Sequence, residues 1–331
     1  MRSNSYKKIG IYTSICVLSV FGLLNCGGGN TQSYSSVEVP ITNYFDASLK
    51  KFAVYTSAGG GKQTLTEIDT GSDYYVIESS YVGNNVVRTN QVINLYYDHG
   101  DIERSGILAY TYVTYQDESG KNIISTNDEV PIVIVPDGDI SNNPNQNHAI
   151  MGMRINGNIS ARLFLPTPYN QMFIFAAPES QLIFGNFSSN QLKGYGLIFV
   201  SPIACDNLGA ATTSNFPCWN DMALPVQYST TYNGNPVESV LNTLFDSGAT
   251  SNMQFVPLPI WLQVSNNVVT NQITGNLLTS LGNINIPFNL PIAAEESDYN
   301  GGIVNAGNNL FNFYNVLFDQ TNGRIGLSSR F

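Results

Sequence analysis

Apolar residues in this chain come in short bursts separated by clusters of Gly, Asn, Asp, Ser and Pro, and no coiled-coil or solenoid period appears. Bursts of β-branched and aromatic residues bounded by turn formers predict strands. Residues 37–41, 52–56 and 64–68 read as strands, with a hairpin turn over 57–62. Residues 92–97 and 106–115 predict a long hairpin with a polar tip at Asp98-His99-Gly100-Asp101. Strands follow at 123–124 and 130–135, then a polar loop over 137–147 and a hairpin from 173–176 and 181–184. Residues 188–194 read as the crossing into a second half of the same style, with strands at 197–200, 224–228, 241–245, 284–288 and 314–319. Only 257–264 hints at a helix. The chain is expected to be all-β.

The first 25 residues break this pattern. Arg2, Lys7 and Lys8 precede an apolar stretch at 9–24 that is short for a membrane span, which marks a targeting segment outside the fold. It ends in Leu23-Leu24-Asn25-Cys26 and resembles a bacterial lipoprotein signal, in which Cys26 becomes the acylated first residue and the membrane attachment. A plain secretory signal cleaved nearby is the alternative. Gly27 stands where enteric-type sorting uses aspartate for inner-membrane retention, so an outer-membrane lipoprotein is the expectation. Residues 26–36 then form a flexible tether, followed by β lobes of roughly 150 residues each at 37–190 and 191–331.

Losing that segment removes Arg2, Lys7 and Lys8 from the 14 basic residues and none of the 24 acidic ones. The remaining chain is strongly acidic and has no basic run, which argues against nucleic acid and against electrostatic docking on anionic lipid. Of the 4 cysteines, Cys16 leaves with the segment and Cys26 is the lipid site. Cys205 and Cys218 remain in a turn-rich stretch and are expected to pair outside the cytoplasm. No Cys/His cluster has zinc spacing, so no metal site is expected. The 2 histidines, His99 and His148, come without a Gly-x-Ser-x-Gly elbow, and both read as loop residues. Gly59-Gly60-Gly61-Lys62 is not a phosphate loop, because Gln63 follows the lysine and a strand follows the turn.

The chemistry lies in two stretches, Ile68-Asp69-Thr70-Gly71-Ser72 and Phe245-Asp246-Ser247-Gly248-Ala249, each closing an apolar run. One such match is expected about 0.04 times by chance in a chain of this length, so two, one in each half, carry information. A carboxylate where a strand ends projects beyond the sheet, and the glycine lets peptide N–H groups turn toward its oxygens. Two such turns face to face would hold two carboxyl groups in contact. Like charges that close cannot both ionise, so one proton is shared and the site contains an acid and a base together. Which aspartate plays which part is left open by the sequence.

These motifs resemble the two catalytic turns of the pepsin-like aspartic proteases, and the likeness runs from about residue 37 to the end. The stretch Leu95-Tyr96-Tyr97-Asp98-His99-Gly100, leading to Gly106-Ile107-Leu108, resembles the family's flap, with Tyr97 as the flap tyrosine. Ile150-Met151-Gly152 resembles the apolar-apolar-glycine support below the first turn. Gly307 to Phe311, Tyr314 to Asp319 and Gly323 to Leu327 resemble the C-terminal strand pair. The resemblance implies a bilobed fold of two six-stranded-type β lobes with a cleft between them. It also implies a catalytic pair, Asp69 and Asp246, supported by Thr70, Gly71, Ser72, Ser247, Gly248 and Tyr97. A monomer acting on polypeptide without a cofactor is expected. The chain departs from the family where Asn305-Ala306-Gly307 stands at the second support, where Tyr74-Tyr75-Val76 replaces the usual tryptophan, at an acidic flap tip, and at Ala249. A surface or periplasmic binding protein on the same fold, with weak or no peptidase activity, is therefore the second expectation.

Overall fold

A computed structural model describes residues 34–331 except 47–48, 98–101, 144, 250–253, 256–262, 266–267, 271, 287–291, 294–302 and 330–331. The expected targeting segment, Cys26, most of the expected tether, the tip of the expected flap with His99 and nearly all of the stretch that hinted at a helix lie outside these residues.

Two of the large sheets repeat one arrangement around the two aspartate motifs. In a ten-stranded sheet, Thr64–Asp69 runs antiparallel to Leu49–Ala58 on one side and parallel to Ala149–Gly152 on the other. In a six-stranded sheet, Asn235–Leu244 runs antiparallel to Leu224–Tyr232 and parallel to Ile303–Asn305. Each motif strand therefore sits inside its sheet between two hydrogen-bonded neighbours. Burial on both sides explains why Thr64–Asp69 is almost wholly buried, including the polar Thr66 and Glu67. The Glu67 carboxylate is satisfied there by Lys51 Nζ at 2.7 Å, Tyr44 Oη at 2.8 Å and Asn147 Nδ2 at 3.2 Å.

A third, six-stranded sheet draws on the beginning, middle and end of the described chain. Its order is Ser36–Pro40, Gln181–Gly185, Met172–Ala176, Tyr314–Asp319, Arg324–Ser329 and Gly196–Phe199. Alternate residues of a strand face opposite ways, so a strand covered on both faces reads as an unbroken apolar run. Met172–Ala176, with the sequence MFIFA, is buried throughout for that reason. Phe173 and Phe175 face the main core, where Phe173 stacks on Phe318 at 4.7 Å and Phe175 meets Phe311 at 4.7 Å and Phe52 at 5.3 Å. Met172, Ile174 and Ala176 face a second cluster with Phe187, Leu192 and Tyr195. Burying each of these phenylalanines stabilises the fold by about 3 kcal/mol relative to exposure.

The long hairpin is present as Val86–Tyr97 paired with Ile102–Thr111. Residues 106–115 do not form the single strand expected. The chain breaks at the exposed Tyr112, and Val113–Gln116 leaves to pair with Leu49–Ala58. His148 lies in the bend before Ala149–Gly152, a loop residue as expected, but it is buried, with Nδ1 2.7 Å from Glu78 Oε2 and its ring stacked at 4.4 Å on Tyr81. The other Glu78 oxygen accepts the N–H groups of Gly138, Ile140 and Ser141, so this pair ties down the polar loop over 137–147. Cys205 and Cys218 form a disulfide across 13 residues, a loop whose closure stabilises by about 3 kcal/mol.

Candidate active site

The two aspartate turns meet and grip each other. Thr70 Oγ1 donates to Phe245 O at 2.8 Å and accepts from Ser247 N–H at 2.9 Å. Reciprocally, Ser247 Oγ donates to Ile68 O at 2.7 Å and accepts from Thr70 N–H at 3.0 Å. Both hydroxyls are buried, and each satisfies a carbonyl and an N–H that the opposite strand end leaves free. Thr and Ser at these positions are required because only a short hydroxyl can donate and accept at once in so little space.

This grip brings the carboxyls of Asp69 and Asp246 against the glycine of the opposite turn. A Cβ on Gly248 would lie 2.5 Å from Asp69 Cγ, and one on Gly71 would lie 2.5 Å from Asp246 Cγ. No side chain fits between turn and carboxyl, which is why both motifs carry glycine there. Gly152 serves a related close approach: a Cβ would sit 2.6 Å from Ser72 O and Asp73 N. Its N–H bonds Tyr74 O at 2.9 Å, while Met153 N–H bonds Asp69 O at 2.7 Å, seating the first turn on the strand Ala149–Gly152.

Asp69 is buried and Asp246 is half-buried. Burial, then the adjacent Asp246 charge, and to a smaller extent Glu67 hold the Asp69 carboxyl well above the ordinary aspartate range. The Gly71 N–H, 2.8 Å from Oδ1, opposes that rise, as does the Ser72 hydroxyl, near the carboxyl but outside hydrogen-bond geometry. The second carboxyl is better supplied. Asp246 Oδ1 accepts Gly248 N–H at 2.9 Å and Ala249 N–H at 3.2 Å, and Oδ2 accepts Asn305 Nδ2 at 2.7 Å.

Tyr97 ends the described part of its strand and faces inward, beside the apolar cluster of Tyr74, Val76, Ile93 and Ile150, whereas Tyr96 points to solvent. Its phenol is raised above the ordinary range by burial and then by the charge of Asp69, so it stays protonated as a donor. The Arg104 guanidinium lies 5.7 Å from its ring centre. Tyr74, in the Tyr74-Tyr75-Val76 stretch that departs from the family's usual tryptophan, packs in the same cluster and anchors its hydroxyl on Leu208 O at 2.8 Å.

Sequence reasoning missed three groups around this centre. Asn305 appeared there only as a departure from an apolar pattern. Asp73, next to the first turn, has a buried oxygen without a partner, and burial raises it to about 6 against the pull of Arg154. Arg154 itself pairs with Asp221 at 2.7 Å and donates its backbone N–H to Ser72 O at 3.1 Å. In a chain with 11% charged residues each arginine is conspicuous, but nothing local ties Arg154 to Asp221, 67 residues away.

Two motif strands in matching sheets, their turns interlocked, and a third sheet joining both halves make the pepsin-like aspartic proteinase fold. A solved aspartic proteinase from Irpex lacteus is similar to this chain with a TM-score of 0.57 at 14% identity, covering 89% of this chain and 97% of that one. No protein-family model matches the chain, and neither does any curated protein sequence.

Proposed function

We propose that this protein is an aspartic endopeptidase, exported and held at the bacterial outer membrane by a lipid on Cys26, that works as a monomer on polypeptide. The observation that carries the reading is the reciprocal Thr70/Ser247 grip, which seats Asp69 and Asp246 against each other's glycine. A carboxyl pair sharing one proton can take a proton from a water as it attacks a peptide carbonyl, and give one to the carbonyl oxygen. The intermediate then collapses as the leaving nitrogen is protonated. Tyr97, held protonated over Asp69, would cover the pair and limit competing water. The reaction needs no cofactor.

The amide of Asn305 on Asp246 favours a second reading, a binding protein on the same fold, because it occupies a carboxylate oxygen that water would otherwise meet. Peptide-library cleavage separates the two. Wild type is expected to cleave and to be stopped by a statine-type inhibitor. Asp69→Asn and Asp246→Asn are each expected to lose at least about 10³-fold in kcat/KM while keeping the wild-type circular dichroism. Retained cleavage in either folded single mutant would remove the dyad mechanism, and no cleavage by wild type would leave the binding reading.

A further inference from the structure

The two motif turns match in their grip but not in what supports their carboxyls. Among the described residues, Asp69 accepts one well-formed hydrogen bond, from Gly71 N–H, while Asp246 accepts three, from Gly248, Ala249 and Asn305. Surroundings differ in the same sense. Asp69 is the more buried and has Glu67 within electrostatic reach, whereas Asp246 is half-buried and has the Arg154 guanidinium within reach. Hydrogen-bond donors, solvent and a nearby cation all favour the charged form of a carboxyl, and burial and a nearby anion favour the neutral one.

We propose that Asn305 is a positioning residue that fixes the negative charge of the pair on Asp246 and so leaves the shared proton on Asp69. This rests on the aspartic-peptidase reading and adds the direction of proton flow to it. Asp246 draws the proton from the attacking water as its oxygen bonds to the carbonyl carbon, and Asp69 gives its proton to the carbonyl oxygen. In collapse the C–N bond breaks, the nitrogen takes the proton from Asp246, and Asp69 recovers one from the diol hydroxyl. The pair returns to its starting charge.

The orientation of the Asn305 amide is fixed by its other end. Oδ1 accepts Gly307 N–H at 2.9 Å, and Gly307 has φ 64°, a left-handed backbone conformation that turns this N–H toward Asn305. A flipped amide would set oxygen against carboxylate and NH₂ against N–H, two repulsive contacts, so the donor must face Asp246. Asn305 is buried, in register with Leu244 at the end of the support strand. The position that corresponds in the first half is Ile150, which packs in the apolar cluster under Tyr97 and offers Asp69 no donor. The asymmetry is thus built by one residue exchange between two otherwise parallel supports. Among the described residues, the charged and titratable groups within electrostatic reach of the pair are Glu67 and Tyr97 beside Asp69 and Arg154 beside Asp246, with Asp73 acting on Tyr97 and Arg154, and Arg104 acting on Tyr97. Of the two cations, Arg154 lies within reach of Asp246, whereas Arg104 acts on the Tyr97 phenol.

Two reagents report the two protonation states directly. A nitrophenyl glycidyl ether is opened by a carboxylate anion, whose oxygen forms the ester while the epoxide oxygen takes a proton from water. Diazoacetyl-norleucine methyl ester is protonated by a carboxylic acid, loses N₂ and is captured as the ester of that acid. Peptide mapping of the full-length wild-type enzyme at its pH optimum should place the glycidyl ester on Asp246 and the diazo-derived ester on Asp69. In Asn305→Leu, the acid limb of kcat/KM should move to higher pH by about one unit, with KM unchanged and the glycidyl ester spread over both aspartates. A purely structural role would lower activity at every pH without moving that limb. Reversed labels or an even split in a cleaving wild-type enzyme would overturn the assignment and leave the peptidase reading standing. Absence of both labels together with absence of cleavage would overturn both. If Asn305→Leu fails to fold, the wild-type label map decides.

Discussion

Thr70→Val tests whether the two turns hold one another. The substitution keeps the side chain's shape and β-branching but removes one donor and one acceptor. It strands Phe245 C=O and Ser247 N–H, both in buried residues with their partner at 2.8 and 2.9 Å in the wild type. A buried backbone group left without a partner costs about 1–3 kcal/mol, and the added methyl returns about 0.8 kcal/mol of burial. With two groups stranded, the expected loss is about 1–5 kcal/mol, read as the denaturant midpoint with an unchanged m-value, using fluorescence and circular dichroism together to check that the transition is a single one. Thr231→Val, at an exposed strand position, should stay within about 0.5 kcal/mol. The Ser247→Ala change strands Ile68 C=O and Thr70 N–H in the same way. Because either loss lets the turns part and admits water to all four groups, the double mutant should lose less than the sum of the singles. Cleavage should fall more steeply than stability, since a displacement of about 1 Å between catalytic groups costs about 10²-fold in rate. A loss below about 1 kcal/mol for Thr70→Val, or strict additivity in the cycle, would refute the grip as the element that couples the turns.

Two further outcomes follow from groups outside the pair. Asp73 has a folded-state value of about 6, raised mainly by burial, against about 3.8 in the unfolded chain. The folded state therefore holds a proton that the unfolded state has lost between those values, and stability falls as pH rises from about 4 to 6. Asp73→Asn should remove this slope and stabilise the protein at pH 7 by up to about 3 kcal/mol, measured as the difference in unfolding midpoint between pH 4 and pH 7; an unchanged slope would count against it. Cys26→Ser should move the exported protein from the membrane to the soluble fraction, and persistent sedimentation with membranes after export would require another anchor.

The parts of this protein that were legible in the sequence are those whose geometry is local. Asp-Thr-Gly-Ser and Asp-Ser-Gly-Ala specify a turn through residues next to one another, and an unbroken run such as Met172–Ala176 declares a strand covered on both faces. What could not be read depends on which way a side chain points once sheets assemble. Asn305 looked like a damaged support because the sequence does not disclose that its amide reaches Asp246 across 59 residues. The burial of the loop residue His148 could not be read because its partner Glu78 is 70 residues away and ends a different strand. The break at Tyr112 was hidden for a related reason: both sides are equally β-forming, and only competition between two neighbouring strands decides where the chain changes partners. That Tyr74-Tyr75-Val76 stands in place of the usual tryptophan was visible, but the anchoring bond of the Tyr74 hydroxyl to Leu208 was not.

The third sheet sets a clock on folding. Its interior strand Met172–Ala176 has Gln181–Gly185 on one side, available almost as soon as it is made, and Tyr314–Asp319 on the other, made long afterwards. Until those last residues arrive, a strand apolar on both faces has one row of peptide groups open, which is the arrangement most prone to pair with another chain. Contacts so distant along the chain are slow to form because loop closure must precede any gain from them. Synthesis of the first half therefore cannot yield a finished half. A nascent chain must be kept from collapsing until Tyr314–Asp319 is free to pair, and a ribosome that stalls before Tyr314 leaves behind a sticky edge instead of a smaller working domain.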